Sequence, residues 1–165
     1  MGIIPKKNGC TMAIHADMLE IIVDTREKKW DHVRREFEIN GIPYKMRKLD
    51  VGDYAADGNT SVSVDRKQNL SELAKNLMNK GDHARFWKEI RRAHANGIKL
   101  TVLCEHGNGV RCLEDVANWR DPFSGVHGRV LMNEIYRAHI SWGVTFEFCA
   151  KNQTAKRILE ILKGC

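Results

Sequence analysis

The sequence predicts an α/β fold, a mixed central sheet flanked by helices on both faces. Two observations carry this reading. Short apolar runs, several of them ending in charged residues, alternate with segments of helical period along most of the chain. A turn signal at Asp57-Gly58-Asn59 joins two strand-like arms into a hairpin ahead of that alternation. A hairpin followed by alternating helices and strands calls for a mixed sheet covered on both sides.

Taken in order, residues 1–18 show no sustained period and read as a flexible N-terminal tail, with residues 19–165 as a single domain. Glu20 to Asp24 is a buried strand feeding a charged loop. Trp30 to Ile39 has helical spacing, and Asn40-Gly41 closes it as a C-cap. Pro43 to Leu49 alternates as a strand. Gly52-Asp53-Tyr54 and Ser61 to Asp65 form the hairpin arms. Ser71 to Met78 is a helix, with Ser71 placed to cap its start. Lys80-Gly81-Asp82 breaks the pattern, and Ala84 to Ala95 resumes it as an amphipathic helix. Ile98 to Cys104 is a core strand, Leu113 to Trp119 a short helix and Val126 to Ser141 a longer one. Val144 to Cys149 and Thr154 to Leu162 complete the chain as a strand and a helix.

Composition narrows the class. With 165 residues, 42% hydrophobic and 29% charged, the chain is an ordinary globular domain and not a disordered one. No apolar run approaches the ~18 residues needed to span a bilayer, so no membrane association is expected. Lys6 and Lys7 lead into a polar stretch in place of the apolar core of an export signal, which points to the cytoplasm. The net charge of +6 favours polyanionic partners. Lys75, Lys80, Arg85, Lys88, Arg91, Arg92 and Lys99 fall in one stretch, either a solvated helix face or a phosphate-binding surface. Five cysteines without an export signal argue against a disulfide framework. Cys104, His106 and Cys112 are three conceivable zinc ligands, but their spacing matches no common finger and a fourth ligand is missing.

The chemistry centres on a carboxylate–lysine group. Asp65 and Lys67, two apart on a strand, emerge from one face with Cα atoms roughly 6.5–7 Å apart. If the turn is centred near Gly58-Asn59, the facing arm sets Asp53 opposite residue 64 or 65. Two adjacent carboxylates repel unless a cation lies between them, and Mg²⁺ takes such oxygen ligands. Lys67 then serves to orient or deprotonate water, or to offset charge on the reacting phosphate. An Asp-x-Lys on its own is usually a surface ion pair. The preceding Gly-Asp on the paired arm of a basic domain is what raises it.

Three successive segments now resemble a known family. Val23-Asp24-Thr25-Arg26-Glu27, Leu49 to Tyr54, and Val64-Asp65-Arg66-Lys67 with a leucine-rich helix after it look like the signatures of the XPF-type nucleases. These belong to the restriction-endonuclease-like PD-(D/E)xK superfamily. The resemblance covers roughly residues 20 to 105, and Val102 to Glu105 looks like the family's later strand ending in Glu. It implies a restriction-endonuclease-like mixed sheet flanked by helices, and Mg²⁺- or Mn²⁺-dependent cleavage of double-stranded or branched DNA. It also implies a homodimer.

Carried over by position, Asp53 and Asp65 become metal ligands, with the backbone carbonyl of Arg66 as a further one, and Lys67 becomes the catalytic lysine. Asp24 and Glu27 bring more carboxylates to the same edge, as direct participants in catalysis or as a structural ion-pair cluster around Arg26. Arg26, Arg66, Arg85, Lys88 and Arg92 are the expected DNA contacts, Arg85 touching phosphate or bracing the carboxylates. Glu105 is either a support for the ligands or a surface residue. Two departures stand out. Asp65 replaces the family's usual Glu, and Ser71 occupies a position often held by Asp, with Glu72 beside it. The tandem helix-hairpin-helix domain of larger relatives has no room in this sequence. The four tryptophans read as packing residues, and His83, His94, His127 and His139 share no spacing. An endonuclease is therefore expected; a catalytically inactive DNA-binding module and a basic protein-binding adaptor are the alternatives.

Overall fold

The structure, a computed structural model, describes residues 19–164 apart from Asn108; the expected flexible tail lies outside the described residues. Six strands form one sheet in the order β2-β1-β3-β4-β5-β6. β1 (Ile21–Val23) pairs parallel with β2 (Tyr44–Met46) and antiparallel with β3 (Tyr54–Ala56). β3 turns back antiparallel into β4 (Asn59–Lys67), and β4, β5 (Lys99–Glu105) and β6 (Thr145–Cys149) run parallel. The mixed sheet expected from the hairpin and the alternation is the one observed. Parallel strands need crossovers, and helices supply them. α1 (Asp31–Ile39) links β1 to β2, while α2 (Leu70–Met78) and α3 (Lys80–Ala95) link β4 to β5. α4 (Leu113–Val116) and α5 (Gly128–Trp142) lead to β6, and α6 (Thr154–Lys163) follows it.

Each helix covers the sheet with the stripe that its apolar spacing provides. On one face Leu70, Leu73 and Leu77 of α2, Ile90 of α3 and Leu131 of α5 close over Leu100, Val102 and Cys104. On the other, Val33 and Phe37 of α1 and Ile158 of α6 pack on Ile21, Val23, Val64 and Leu103. Alternate residues of β4 and β5 therefore serve opposite layers. No helix among the described residues is long and apolar enough to cross a membrane.

Three boundaries differ from the sequence reading. Asn69, not Ser71, caps α2: its Oδ1 accepts the Glu72 amide at 2.8 Å while Glu72 Oε2 accepts the Gln68 amide at 2.7 Å. Ser71 instead donates to Asp121 Oδ1 at 2.8 Å. Lys80-Gly81-Asp82 is not a break but the first turn of α3, because Asn79 ends α2 and caps α3 with its side chain on the Gly81 amide. An acid at position 82 suits the positive end of that helix. Finally, α4 is one turn long. Gly128, which opens α5, presses so close on the Val116 and Trp119 carbonyls that a Cβ would not fit.

Gly52 has φ +71, and a Cβ there would collide with Ser63 Oγ and the Val64 carbonyl. Gly58 has φ +80 but open space around it. Left-handed backbone alone costs a non-glycine residue roughly 1–2 kcal/mol. Gly52→Ala is therefore expected to destabilise clearly more than Gly58→Ala, with thermal melts of both variants deciding it. Equal effects would mean that the close approach at Gly52 carries no weight.

Candidate active site

β4 delivers three consecutive charged residues to the middle of the sheet, all of them buried. By alternation Asp65 and Lys67 share one face and Arg66 takes the other. The antiparallel register sets Tyr54 opposite Val64, so Asp53, one residue earlier, comes beside Asp65, within the expected pairing. The Asp53 amide donates to the Val64 carbonyl at 2.8 Å, and Asp53 Oδ2 accepts the Arg66 amide at 2.8 Å. Lys67 Nζ is 2.7 Å from Asp65 Oδ2 and 5.0 Å from the centre of the Phe86 ring in α3. That pair is an ion pair by distance but misaligned for a hydrogen bond, and the buried Asp65 Oδ2 has no hydrogen-bonding partner.

The electrostatics follow from crowding like charges in a protein interior. Burial, then the carboxylates of Asp65 and Glu27, push the Asp53 carboxyl well above the usual range. Burial and Asp65 likewise raise Glu89, and burial raises Glu27 against the pull of Arg66. Burial opposes the Lys67 charge, but Asp65 and Asp53 outweigh it and hold the ammonium above the ordinary lysine range. Lys67 is therefore protonated at neutral pH. Asp53 and Asp65 suit an oxygen-loving cation, since an unpartnered Asp65 oxygen and the repulsion between the two carboxylates are what such an ion would relieve. Among the described residues no three acidic, His or Cys side chains converge as a ready-made metal cage. One or two carboxylates with water and phosphate completing the shell is the pattern of Mg²⁺.

The remaining expected residues divide into two groups. Arg66 does not reach the DNA-facing surface expected of it. Its side chain is 1% exposed, joined to Glu27 by a short ion pair and to Glu105 at 3.2 Å, with Lys28 O accepting at 2.8 Å. The loop around it is drawn tight, with Lys29 at φ 55. Glu105 is buried here too, and its other oxygen lies 2.5 Å from His32 Nε2. Asp24 is fully engaged: Oδ1 takes the Arg26 amide and Nε, each at 2.8 Å, and Oδ2 takes the Leu49 amide at 2.6 Å. Burial would raise its carboxyl, yet these donors hold it below the usual range. Its geometry is that of a clamp closing the Leu49 loop onto β1.

Arg26, Arg85, Lys88 and Arg92 do come together. They rim a cleft of about 410 Å³ that has Lys67, Glu72 and Glu89 in its wall. Arg85 is 82% exposed and paired only to Asp82 in its own helix, so it braces none of the site carboxylates. Arg92 Nη1 donates to Asp50 O at 2.7 Å. Glu89 is a member of the cleft that the sequence pattern does not single out. The usable signal was its place on the same helix, one turn after Arg85. Cys104 is buried in β5, Cys112 is exposed and bonded to Asp115, and His106 Nδ1 accepts the Leu70 amide, so the zinc alternative gathers no ligand set.

Comparison with known proteins adds the following. Residues 23–160 match the family model described as the ERCC4 domain. Among solved structures, XPF from Aeropyrum pernix superposes with a TM-score of 0.66 at 20% identity over 87% of this chain. XPF from Aeropyrum pernix in complex with DNA gives 0.64 at 19% identity over 88% of this chain. The chain spans 63% and 64% of the length of those two structures. No curated protein matches it.

Two predictions follow from the charges. Removing Arg66 leaves Glu27 and Glu105 buried without a counter-charge, which typically costs about 3–5 kcal/mol. Arg66→Met should lose about that much in denaturant unfolding, whereas Arg85→Ala should stay within about 0.5 kcal/mol of wild type. For Asp53, a folded-state pKa above the unfolded value means the native state binds the extra proton. Its contribution to stability is present at low pH and is lost as pH rises above the ordinary Asp range toward the raised value. In chelator, Asp53→Asn should therefore melt about 2–4 °C above wild type at pH 8, with the gap closing toward pH 4. A gap that is constant with pH would contradict the raised Asp53.

Proposed function

Because the chain belongs to the ERCC4 domain family, we propose that it is a divalent-metal-dependent endonuclease hydrolysing DNA phosphodiester bonds at the β4–α3 cleft. The observation that carries this is an Asp53–Asp65–Lys67 group, its Asp65 and Lys67 buried and its Asp53 half-buried, beside a cleft lined by four cationic side chains. An ion pair made only for stability would not need two repelling carboxylates, which a hydrophobic replacement would outperform. Asp53 and Asp65, with the carbonyl of Arg66, are the oxygens that would hold Mg²⁺ or Mn²⁺. Such an ion supplies Lewis-acid activation of water and of the phosphoryl group.

Lys67, held charged beside Asp65 and Asp53, sets positive charge where negative charge gathers on the reacting phosphate. Arg26, Arg85, Lys88 and Arg92 line the same cleft and bind the backbone phosphates of double-stranded or branched DNA on either side. Asp24 and Glu27 act behind the site, by clamping the Leu49 loop and by seating Arg66. A homodimer, offering a second site for the opposite strand, belongs to the same proposal. The exposed Val130, Tyr136 and Ile140 on α5 favour it.

The test uses the purified chain with linear, forked and four-way-junction DNA in Mg²⁺, in Mn²⁺ and in chelator. Cleavage is expected with either metal only. Asp65→Ala and Lys67→Ala should each lower the rate by about 10²–10³. Absence of metal-dependent cleavage on every substrate refutes the proposal, and salt-sensitive binding without cleavage would favour the inactive DNA-binding module.

A further inference from the structure

We propose that Glu89 is the positioning residue of this site, fixing the Gly52–Asp53 turn from the helical layer so that the Asp53 carboxylate faces Asp65. The inference rests on the nuclease reading above. Gly52 sits at φ +71 against Ser63 and the Val64 carbonyl, just ahead of β3. Glu89 Oε1 accepts the Gly52 amide at 2.6 Å. The two backbone bonds on either side hold Asp53 to the strands: its amide to Val64 O at 2.8 Å, and its carbonyl to the Asp24 amide at 2.7 Å. Glu89 thus supplies the grip that comes from α3.

Its placement couples two parts of the site. One turn further along α3, Arg92 Nη1 donates to Asp50 O at 2.7 Å, so the helix grips the same loop twice. One turn earlier in α3, the Phe86 ring lies 5.0 Å from Lys67 Nζ. The helix that carries the phosphate-facing cations Arg85 and Lys88 is in this way locked to both Asp53 and Lys67. A carboxylate near Asp65 is a poor choice for mere packing, and Ala or Leu would serve that purpose without desolvating a charge. An acceptor of fixed position is what the Gly52 amide requires.

Glu89→Gln keeps a side-chain oxygen for the amide and Glu89→Ala removes it, which separates positioning from bulk. Two readouts that need no turnover are the hydrogen exchange of the Gly52 amide, followed by NMR, and the affinity for Mn²⁺, followed by electron paramagnetic resonance. Glu89→Ala should open the Gly52 amide to faster exchange and weaken Mn²⁺ by about tenfold, the usual cost of losing a group that orients a ligand. Glu89→Gln should restore both to near wild type. Unchanged Gly52 exchange in Glu89→Ala overturns the proposal. So does a Glu89→Gln protein that protects Gly52 yet loses as much Mn²⁺ affinity as Glu89→Ala, since Glu89 would then act through its charge. A wild-type chain that takes up no Mn²⁺ would defeat the metal-nuclease reading instead, and Gly52 exchange in the two variants would still decide the role of Glu89.

Discussion

Strand β4 carries Asp65, Arg66 and Lys67 in succession through the interior, and charged groups there are costly unless each is paired. Most of what surrounds the strand can be understood as the answer to that demand. The pleat sends the three residues to opposite layers, so one counter-charge cannot serve them all. Arg66 draws in Glu27, Glu105 and the Lys28 carbonyl on the α1–α6 side. Lys67 draws in Asp65 and the face of Phe86 on the α2–α3 side. The short strands β1 and β3, which bury every residue they have, frame this arrangement and contribute little else.

The two halves differ in how completely they are satisfied. Around Arg66 donors and acceptors balance, and the guanidinium is held charged by its carboxylates despite its burial. On the other side, Asp53, Asp65 and Glu89 crowd together beyond what Lys67 compensates, and an Asp65 oxygen lacks a hydrogen bond. Natural folds tolerate such an imbalance where a ligand is expected to correct it. A satisfied ion network and an unsatisfied acidic cluster are thus divided between the faces of one strand.

The sequence was informative where the relation between residues is local. The expected pairing of Asp53 with Asp65 is met, but through a register shift between Ala55 and Ala56: the turn pairs Ala56 with Asn59, whereas Tyr54 faces Val64. Asp65 and Lys67 share a face because alternation along a strand is local. The mixed sheet was legible from the order of elements alone. What could not be read were encounters across the fold. Nothing near Glu105 in the chain announces His32 or Arg66, which lie 73 and 39 residues away. Arg66 looked like a DNA contact because its motif neighbours face the cleft, whereas the pleat turns it inward. Glu89 escaped notice because its partner is a backbone amide 37 residues earlier, and amides leave no trace in a pattern of side chains. Capping differs for a subtler reason: Asn69 and Ser71 both suit a helix start, and in the fold Ser71 is taken up by Asp121 while Asn69 holds the Glu72 amide.

The division of β4 between its two faces also bears on how such a domain can change over generations. A lineage that replaced Asp65 and Lys67 together by matched apolar residues would lose that ion pair while leaving the guanidinium network on the far side untouched. The reverse exchange would strand two buried carboxylates and put the whole scaffold at risk. The proposed chemistry can therefore be lost far more easily than the architecture.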